Sequence, residues 1–282
     1  MVMNLKIFIH KYLTPRHLLT KLVGKLASAK LGKVTTLAIK AFVKLNKVNL
    51  AEAKRPKAED YSTFNEFFIR ELPEDARPIG QAEFVSPADG KIAMIGQVNN
   101  GAMIQAKGHN FAVRELLGIS SEEAEQYNGC TYVTVYLSPR DYHRVHMPCK
   151  ATLKKSIFIP GDLYSVNENA FKNISNLYAR NERLVCYFDT EYGPMIQVLV
   201  GATITGSIKT YWDNAIDAHH AVHFIEKRYA DNEVVLEKGQ LMGAFLMGST
   251  TINIFPKQLQ LTDNVVIGEK IKVNEDLGNI AV

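Results

Sequence analysis

Residues 16 to 45 place apolar and basic side chains at helical rather than strand spacing. Leu18, Leu19, Leu22, Val23 and Leu26 fall on one face of a helix, with Lys21, Lys25 and Lys30 away from its centre. Val34, Leu37, Ala38, Ala41, Phe42 and Leu45 repeat the period in a second helix. Thr14-Pro15 offers a capping residue and a first-turn proline for the first of them. Thr63-Phe64-Asn65-Glu66 has capping-box spacing and predicts a short helix ending before Leu72-Pro73.

From about Phe84 the pattern changes to short β-prone runs punctuated by Gly, Pro and Asp. Strands are expected at Thr131–Leu137, Leu153–Ile159, Leu184–Phe188, Met195–Val200, Ala221–Ile225, Val234–Leu236, Thr251–Phe255 and Lys270–Val273. Glu191-Tyr192-Gly193-Pro194 and Ala230-Asp231-Asn232 suit hairpin turns, and helical pattern is confined to Val113–Leu117 and Ala170–Ala179. The whole predicts an α+β fold: basic amphipathic N-terminal helices followed by a mainly antiparallel β core. Lys54-Arg55-Pro56-Lys57 reads as a linker, dividing a helical segment, 1–58, from a β-rich domain, 59–282.

Charge gives the helices a partner. Residues 1–58 hold thirteen Lys and Arg against one acid, Glu52, whereas the whole chain is only +4, so the remainder is net acidic. Basic amphipathic helices of this kind can lie in the interface of an anionic membrane, apolar face toward the acyl chains, and the alternative is a helical subdomain packed on the core with a solvated basic face. Nucleic acid is the rival electrostatic partner, but no aromatic or glycine-rich readout motif accompanies the charge, so none is expected. No apolar run approaches a membrane span, and Lys6, His10 and Lys11 interrupt any signal-peptide core. Three scattered cysteines, Cys130, Cys149 and Cys186, argue against a disulfide framework or a structural zinc site.

Candidate chemistry gathers at three places. Met247-Gly248-Ser249-Thr250 carries a Gly-Ser bond just before a β-prone run. Attack of the Ser249 hydroxyl on the Gly248 carbonyl would turn the peptide into an ester. Elimination and hydrolysis would then leave a pyruvoyl group at 249 and release ammonia. Glycine at 248 leaves room for that approach, but Gly-Ser is a common pair and equally suits a bend in a strand. Ser86-Pro87-Ala88-Asp89-Gly90 offers an acid in a turn leading into a strand. Tyr142-His143-Arg144-Val145-His146-Met147-Pro148 offers two imidazoles, either as a metal pair joined by His219, His220 or His223, or as two separate proton carriers.

These segments resemble the bacterial phosphatidylserine decarboxylase proenzymes. The similarity runs in order through Thr63–Arg70, Ser86–Gly90, Gln105–Gly108, Pro139–Pro148, Pro160–Asn167, Ala179–Arg183, Val200–Ile208 and the Gly-Ser-Thr itself. It implies self-cleavage between Gly248 and Ser249 into a large β chain, 1–248, and a small α chain, 249–282, headed by a covalent pyruvoyl cofactor made from Ser249. It maps a cleavage triad onto Asp89, His146 and Ser249, with Asp89 holding the His146 imidazole in its tautomer, and it assigns the decarboxylation proton to a protonated His143. The pyruvoyl would form a Schiff base with phosphatidylserine, release CO2 and yield phosphatidylethanolamine, with no metal. The expected assembly is a heterodimer of the two chains that dimerises further, bound peripherally to the cell membrane on its cytoplasmic side. Lys107 and Arg140 are candidates for gripping the headgroup, or for ordinary surface ion pairs. Met247, where the family favours Leu or Phe, and Asp217-Ala218-His219-His220 depart from the pattern.

Overall fold

A computed structural model describes residues 16–104, 110–203, 208–213, 223–246 and 249–281. Two helices open it, α1 (Arg16–Ser28) and α2 (Lys33–Asn46), followed by the short α3 (Phe64–Phe68). The Thr14-Pro15 cap lies outside the described residues. At α3 the Thr63 hydroxyl accepts from the Glu66 N–H at 3.1 Å, and the Glu66 carboxylate reaches back to the Ser62 N–H at 3.0 Å, one residue earlier than a standard capping box.

The apolar stripes of α1 and α2 face outward. Leu18, Leu22, Leu26, Val34, Leu37 and Leu45 are 53–81% exposed, while Thr20, Ala27, Thr35 and Ile39 are buried. Ile39 joins Val48, Ala58, Tyr61, Phe67 and Phe68 in one cluster, with Phe42 and Phe64 packed edge-on against it. This small core takes residues from both sides of the expected boundary at 58.

The main body is a nine-stranded sheet. Six of its strands are β1 (Gly90–Gln97), β2 (Cys130–Leu137), β4 (Ala151–Ile159), β5 (Arg183–Thr190), β6 (Gly193–Val200) and β8 (Ser249–Lys257); β3 (Arg144–His146) and β7 (Leu241–Phe245) belong to a second, three-stranded sheet with Ile208–Thr210. Strand order in the large sheet is Ile225–Arg228, β4, β5, β6, β8, β2, β1 and Lys270–Ile271, and all these pairs are antiparallel. Apolar side chains alternate between its faces, so one hydrophobic cluster gathers Val133, Val135, Leu199 and Phe255 and another Tyr132, Val198, Ile252 and Ile254.

Two expectations are corrected. Ala230-Asp231-Asn232 does not join two strands of a hairpin: Ile225–Arg228 and Val235–Leu236 both pair with β4, in continuing register from Phe158 to Ala151. The turn is an interruption within one edge of the sheet, where extra residues can loop out without disturbing a second neighbour. The stretch Ala170–Ala179 forms two short helices, Glu168–Asn173 and Leu177–Arg180, broken at Asn176, whose φ of 55° no α-helix continues. The strand expected at Ala221–Ile225 begins outside the described residues, and the observed one runs Ile225–Arg228.

Candidate active site

Asp89 closes the turn Ser86-Pro87-Ala88-Asp89, which the Ser86 hydroxyl braces by donating to the Ala88 carbonyl at 3.0 Å. Gly90 then starts β1 against β2 so closely that a Cβ there would lie 2.4 Å from the Tyr136 carbonyl oxygen, which is why the acid is followed by glycine. Asp89 is buried and its carboxylate is fully engaged. Oδ1 accepts from the Val273 N–H at 2.8 Å and from Arg77 Nε at 3.1 Å, and Oδ2 accepts from Arg77 Nη2 at 2.6 Å. Burial alone would pull the Arg77 pKa down, but Asp89 and Glu52 outweigh it and hold the guanidinium above its ordinary value.

His146 ends β3, and its backbone N–H donates to the Pro87 carbonyl at 2.8 Å, tying it to the Asp89 turn. Its Nδ1 lies 2.7 Å from the Gly239 carbonyl and its Nε2 3.0 Å from the Tyr142 hydroxyl. A carbonyl can only accept, so Nδ1 carries the hydrogen and Nε2 presents its lone pair. The tautomer is therefore set by Gly239, in place of the expected contact with Asp89. Burial lowers the His146 pKa, the Gly239 carbonyl opposes that, and Asp89 opposes it more weakly through charge. The resting ring is a neutral base.

His143 is completely buried, tilted against Phe68 with ring centroids 4.0 Å apart. Nδ1 donates to the Asp141 carbonyl at 2.8 Å, and Nε2 is buried with no hydrogen-bond partner among the described residues. Burial, helped by the nearby Arg70 charge, pushes its pKa down to about 3. The expected protonated His143 is thus neutral at rest, because desolvation penalises the imidazolium and no carboxylate compensates for it.

Ser249 is the first residue of β8, in register with Leu137 of β2; Thr250 pairs with Tyr136 on that side and Val200 of β6 on the other. The preceding strand, β7, belongs to the other sheet and pairs with β3, Leu241 opposite His146. Its last residue, Phe245, donates its N–H to the His143 carbonyl at 3.0 Å. Only residues 246–248 therefore connect a strand bound to the histidine segment with a strand central in the large sheet. Met247, Gly248, Lys107, His219 and His220 lie outside the described residues. A buried polar ladder adds a second link: Asn253 donates to Thr251 Oγ1 at 2.7 Å, and Gln197 donates to Asn253 Oδ1 at 3.3 Å and to the His146 carbonyl at 3.4 Å.

Arg140 is half-exposed, with Asp141 4.0 Å away, as a surface ion pair would be. Sequence reasoning missed Arg77, Tyr142 and Gly239. Tyr142 was legible as a neighbour of the histidines, but nothing local marks a backbone carbonyl 93 residues from His146.

The fold and site define an α+β protein in which the segment carrying His143 and His146 pairs with the strand that leads into the Gly-Ser segment. The family model described as phosphatidylserine decarboxylase matches residues 64–279, and one described as PSD matches residues 5–45. The phosphatidylserine decarboxylase proenzyme of Aliivibrio salmonicida is 49% identical over 284 residues, 99% of each chain. That of Vibrio vulnificus is 52% identical over 252 residues, 88% of each, and that of Haemophilus ducreyi 48% over 276 residues, 96% of this chain and 93% of its own. The chain belongs to the phosphatidylserine decarboxylase family, and its activity is the decarboxylation of phosphatidylserine.

Proposed function

We propose that the chain becomes active by cutting itself between Gly248 and Ser249, with His146 as base and Ser249 as nucleophile. The observation that carries this reading is the tautomer of His146: its Nε2 lone pair, which accepts from the Tyr142 hydroxyl, belongs to a neutral ring beside the strand that leads to 246–248. Nε2 takes the Ser249 proton as the hydroxyl attacks the Gly248 carbonyl. Tyr142, whose hydroxyl burial keeps protonated, holds that nitrogen in line until then. Asp89 acts through its turn, which Arg77 anchors and whose Pro87 carbonyl holds the His146 backbone. Its charge also favours the imidazolium that the step creates.

The site fits a cofactor built from residue 249. His143 Nε2 is a buried polar atom awaiting a partner, on a segment hydrogen-bonded to β7. After the cut, β8 keeps its hydrogen bonds to β2 and β6, so chain 249–282 stays bound to chain 1–248 as a heterodimer. The pyruvoyl group supplies the electron sink for decarboxylation that pyridoxal phosphate supplies elsewhere. His143, neutral at rest, accepts a proton from the substrate's ammonium and can return it to Cα when CO2 has left.

The outward leucines of α1 and α2 and the basic surplus of residues 1–58 would hold the enzyme on the anionic, cytoplasmic face of the cell membrane. Among the described residues no helix is long and apolar enough to cross a bilayer, which agrees with peripheral binding. Intact-mass spectrometry tests the reading. The expected result is two chains split at 248/249, the small one lacking a free amine, with Ser249→Ala leaving one 31.6 kDa chain. A folded, active wild-type chain that stays whole overturns it.

A further inference from the structure

Glu182 lies just before β5, in the stretch Ala179–Arg183, whose side chains the cleavage step does not use. It is 5% exposed, and its Oε1 is buried with no hydrogen-bond partner among the described residues. Both neighbours have spent their donors. Asn181 donates to the Tyr164 and Gly201 carbonyls at 2.8 Å each, and Arg183 donates to the Leu116 and Asn181 carbonyls at 2.7 and 2.8 Å. The Glu182 backbone is held as firmly, its N–H donating to the Asp162 carbonyl at 2.8 Å and its carbonyl accepting from the Gly201 N–H at 2.9 Å. An unpartnered buried carboxyl is a costly exception in a segment so well satisfied. Burial alone, with no neighbouring charge contributing, pushes its pKa up to about 8, so at neutral pH it holds a proton to give.

Strand register shows what lies beside it. Arg183 pairs with Val200 of β6, and Val200 with Thr250 of β8. One residue along, the row carries Glu182, Gly201 and position 249, with Leu137 of β2 beyond. Residues opposite one another share a face of a sheet. The face of this row is that of Leu184 and Leu199, whose cluster takes in Val145 and Met147 on either side of His146. Gly201 contributes no side chain, so nothing of the sheet itself separates Glu182 from position 249. Two strand spacings are about 10 Å, of which a glutamate side chain spans about half, leaving hydrogen-bond reach to a group on residue 249. No ligand has to enter for this contact, because the partner is the chain's own residue. We propose that Glu182 is the acid of the reacting ketone: its carboxyl donates to the oxygen of the pyruvoyl group at 249 and protonates it as the amine of phosphatidylserine adds. This rests on the self-cleavage reading. As the N–C bond forms, the C–O π pair moves to oxygen, which takes the Glu182 proton. The carboxyl regains a proton from the adding nitrogen and passes it to the same oxygen. That oxygen leaves as water while the nitrogen lone pair closes the C=N bond, and Glu182 is left as a carboxylate beside the cationic nitrogen. His143 keeps its own task at the substrate Cα.

The test uses Glu182→Gln, which keeps the volume and removes the acid, and Glu182→Asp, which keeps the acid and shortens its reach. Intact mass first reads the cut between Gly248 and Ser249. A wild type that stays whole overturns the cleavage reading and this proposal with it. Variants that stay whole while wild type is cut would move Glu182 into the cleavage step and overturn the present assignment. Methoxyamine, a small amine that condenses with a ketone and has no carboxylate to lose, then probes the addition step by itself, with the mass of chain 249–282 as the readout. Its rate is expected to fall about a hundredfold in E182Q, the range of a lost proton donor, and by less in E182D. In wild type that rate should also fall as pH rises past about 8, and in E182Q this alkaline fall should be absent. E182D carries the test if E182Q fails to fold. The proposal is overturned if E182Q reacts with methoxyamine as fast as wild type, or if the alkaline fall persists in it.

Discussion

Asp89→Asn on a Ser249→Ala background isolates the Arg77–Asp89 pair from cleavage, because the chain stays whole in every variant. The two side chains are 10% and 9% exposed and share hydrogen bonds of 3.1 and 2.6 Å. Breaking such a pair by removing one partner costs about 3–5 kcal/mol, because the other remains desolvated and uncompensated. Two features place the loss at the low end. Glu52 stays 3.1 Å from Arg77 Nη2, and the amide oxygen introduced at 89 can still accept from the Val273 N–H. A loss of roughly 3 kcal/mol lowers Tm by about 6 °C in a protein of this size. Arg77→Met should cost a similar amount for the mirrored reason. The double variant should cost less than the sum of the singles by about 1.5 kcal/mol or more, since neither charge is then left unpaired. Urea and thermal unfolding followed by circular dichroism measure all three. If the single losses add within about 0.5 kcal/mol, the two residues do not form one buried unit and the argument fails.

Three further outcomes follow from the site. His143→Ala should leave self-cleavage by intact mass near wild type while CO2 release falls by about a hundredfold or more, the usual range for a lost acid–base group; normal turnover would remove His143 from the proton path. His143 is a base with a folded pKa depressed to about 3, so its contribution to stability is complete above its ordinary value of 6.5 and is lost as pH falls from there toward 3. The unfolding free energy of the Ser249→Ala chain should therefore drop on acidification, this one proton contributing up to about 1.4 kcal/mol per pH unit, and His143→Phe should flatten that slope. Leu22→Glu with Leu26→Glu, at positions 53% and 64% exposed, should leave Tm unchanged and weaken binding to anionic vesicles by roughly tenfold per leucine in a flotation assay; unchanged flotation would take α1 off the membrane.

Local pattern gave the amphipathic helices, the Val113–Leu117 helix and all but one of the expected strands to within two residues, because period, capping and turn chemistry act over a few neighbours, but it did not mark strands such as Gly90–Gln97, Arg144–His146 and Leu241–Phe245. The Gly-Ser bond, Asp89 and the two histidines stood out locally only as candidates, and their roles came from the family resemblance. A hairpin at 230–232 was a reasonable local reading, yet the choice between a hairpin and an interrupted edge depends on which strand lies alongside. That strand is β4, more than 70 residues earlier in the chain.

The sequence alone marked candidate residues for the chemistry and determined that the N-terminal helices carry an apolar face beside a basic one. Only the tertiary structure decided their states. Whether an apolar stripe faces inward depends on what else fills the core, and in α1 and α2 the threonines and Ile39 do so while the leucines face out. Likewise an imidazole's charge and tautomer are set by burial and by partners such as the Gly239 carbonyl and Arg70, which come from distant parts of the chain. The energy of a charged group depends on its surroundings in three dimensions, and no run of neighbouring letters encodes them.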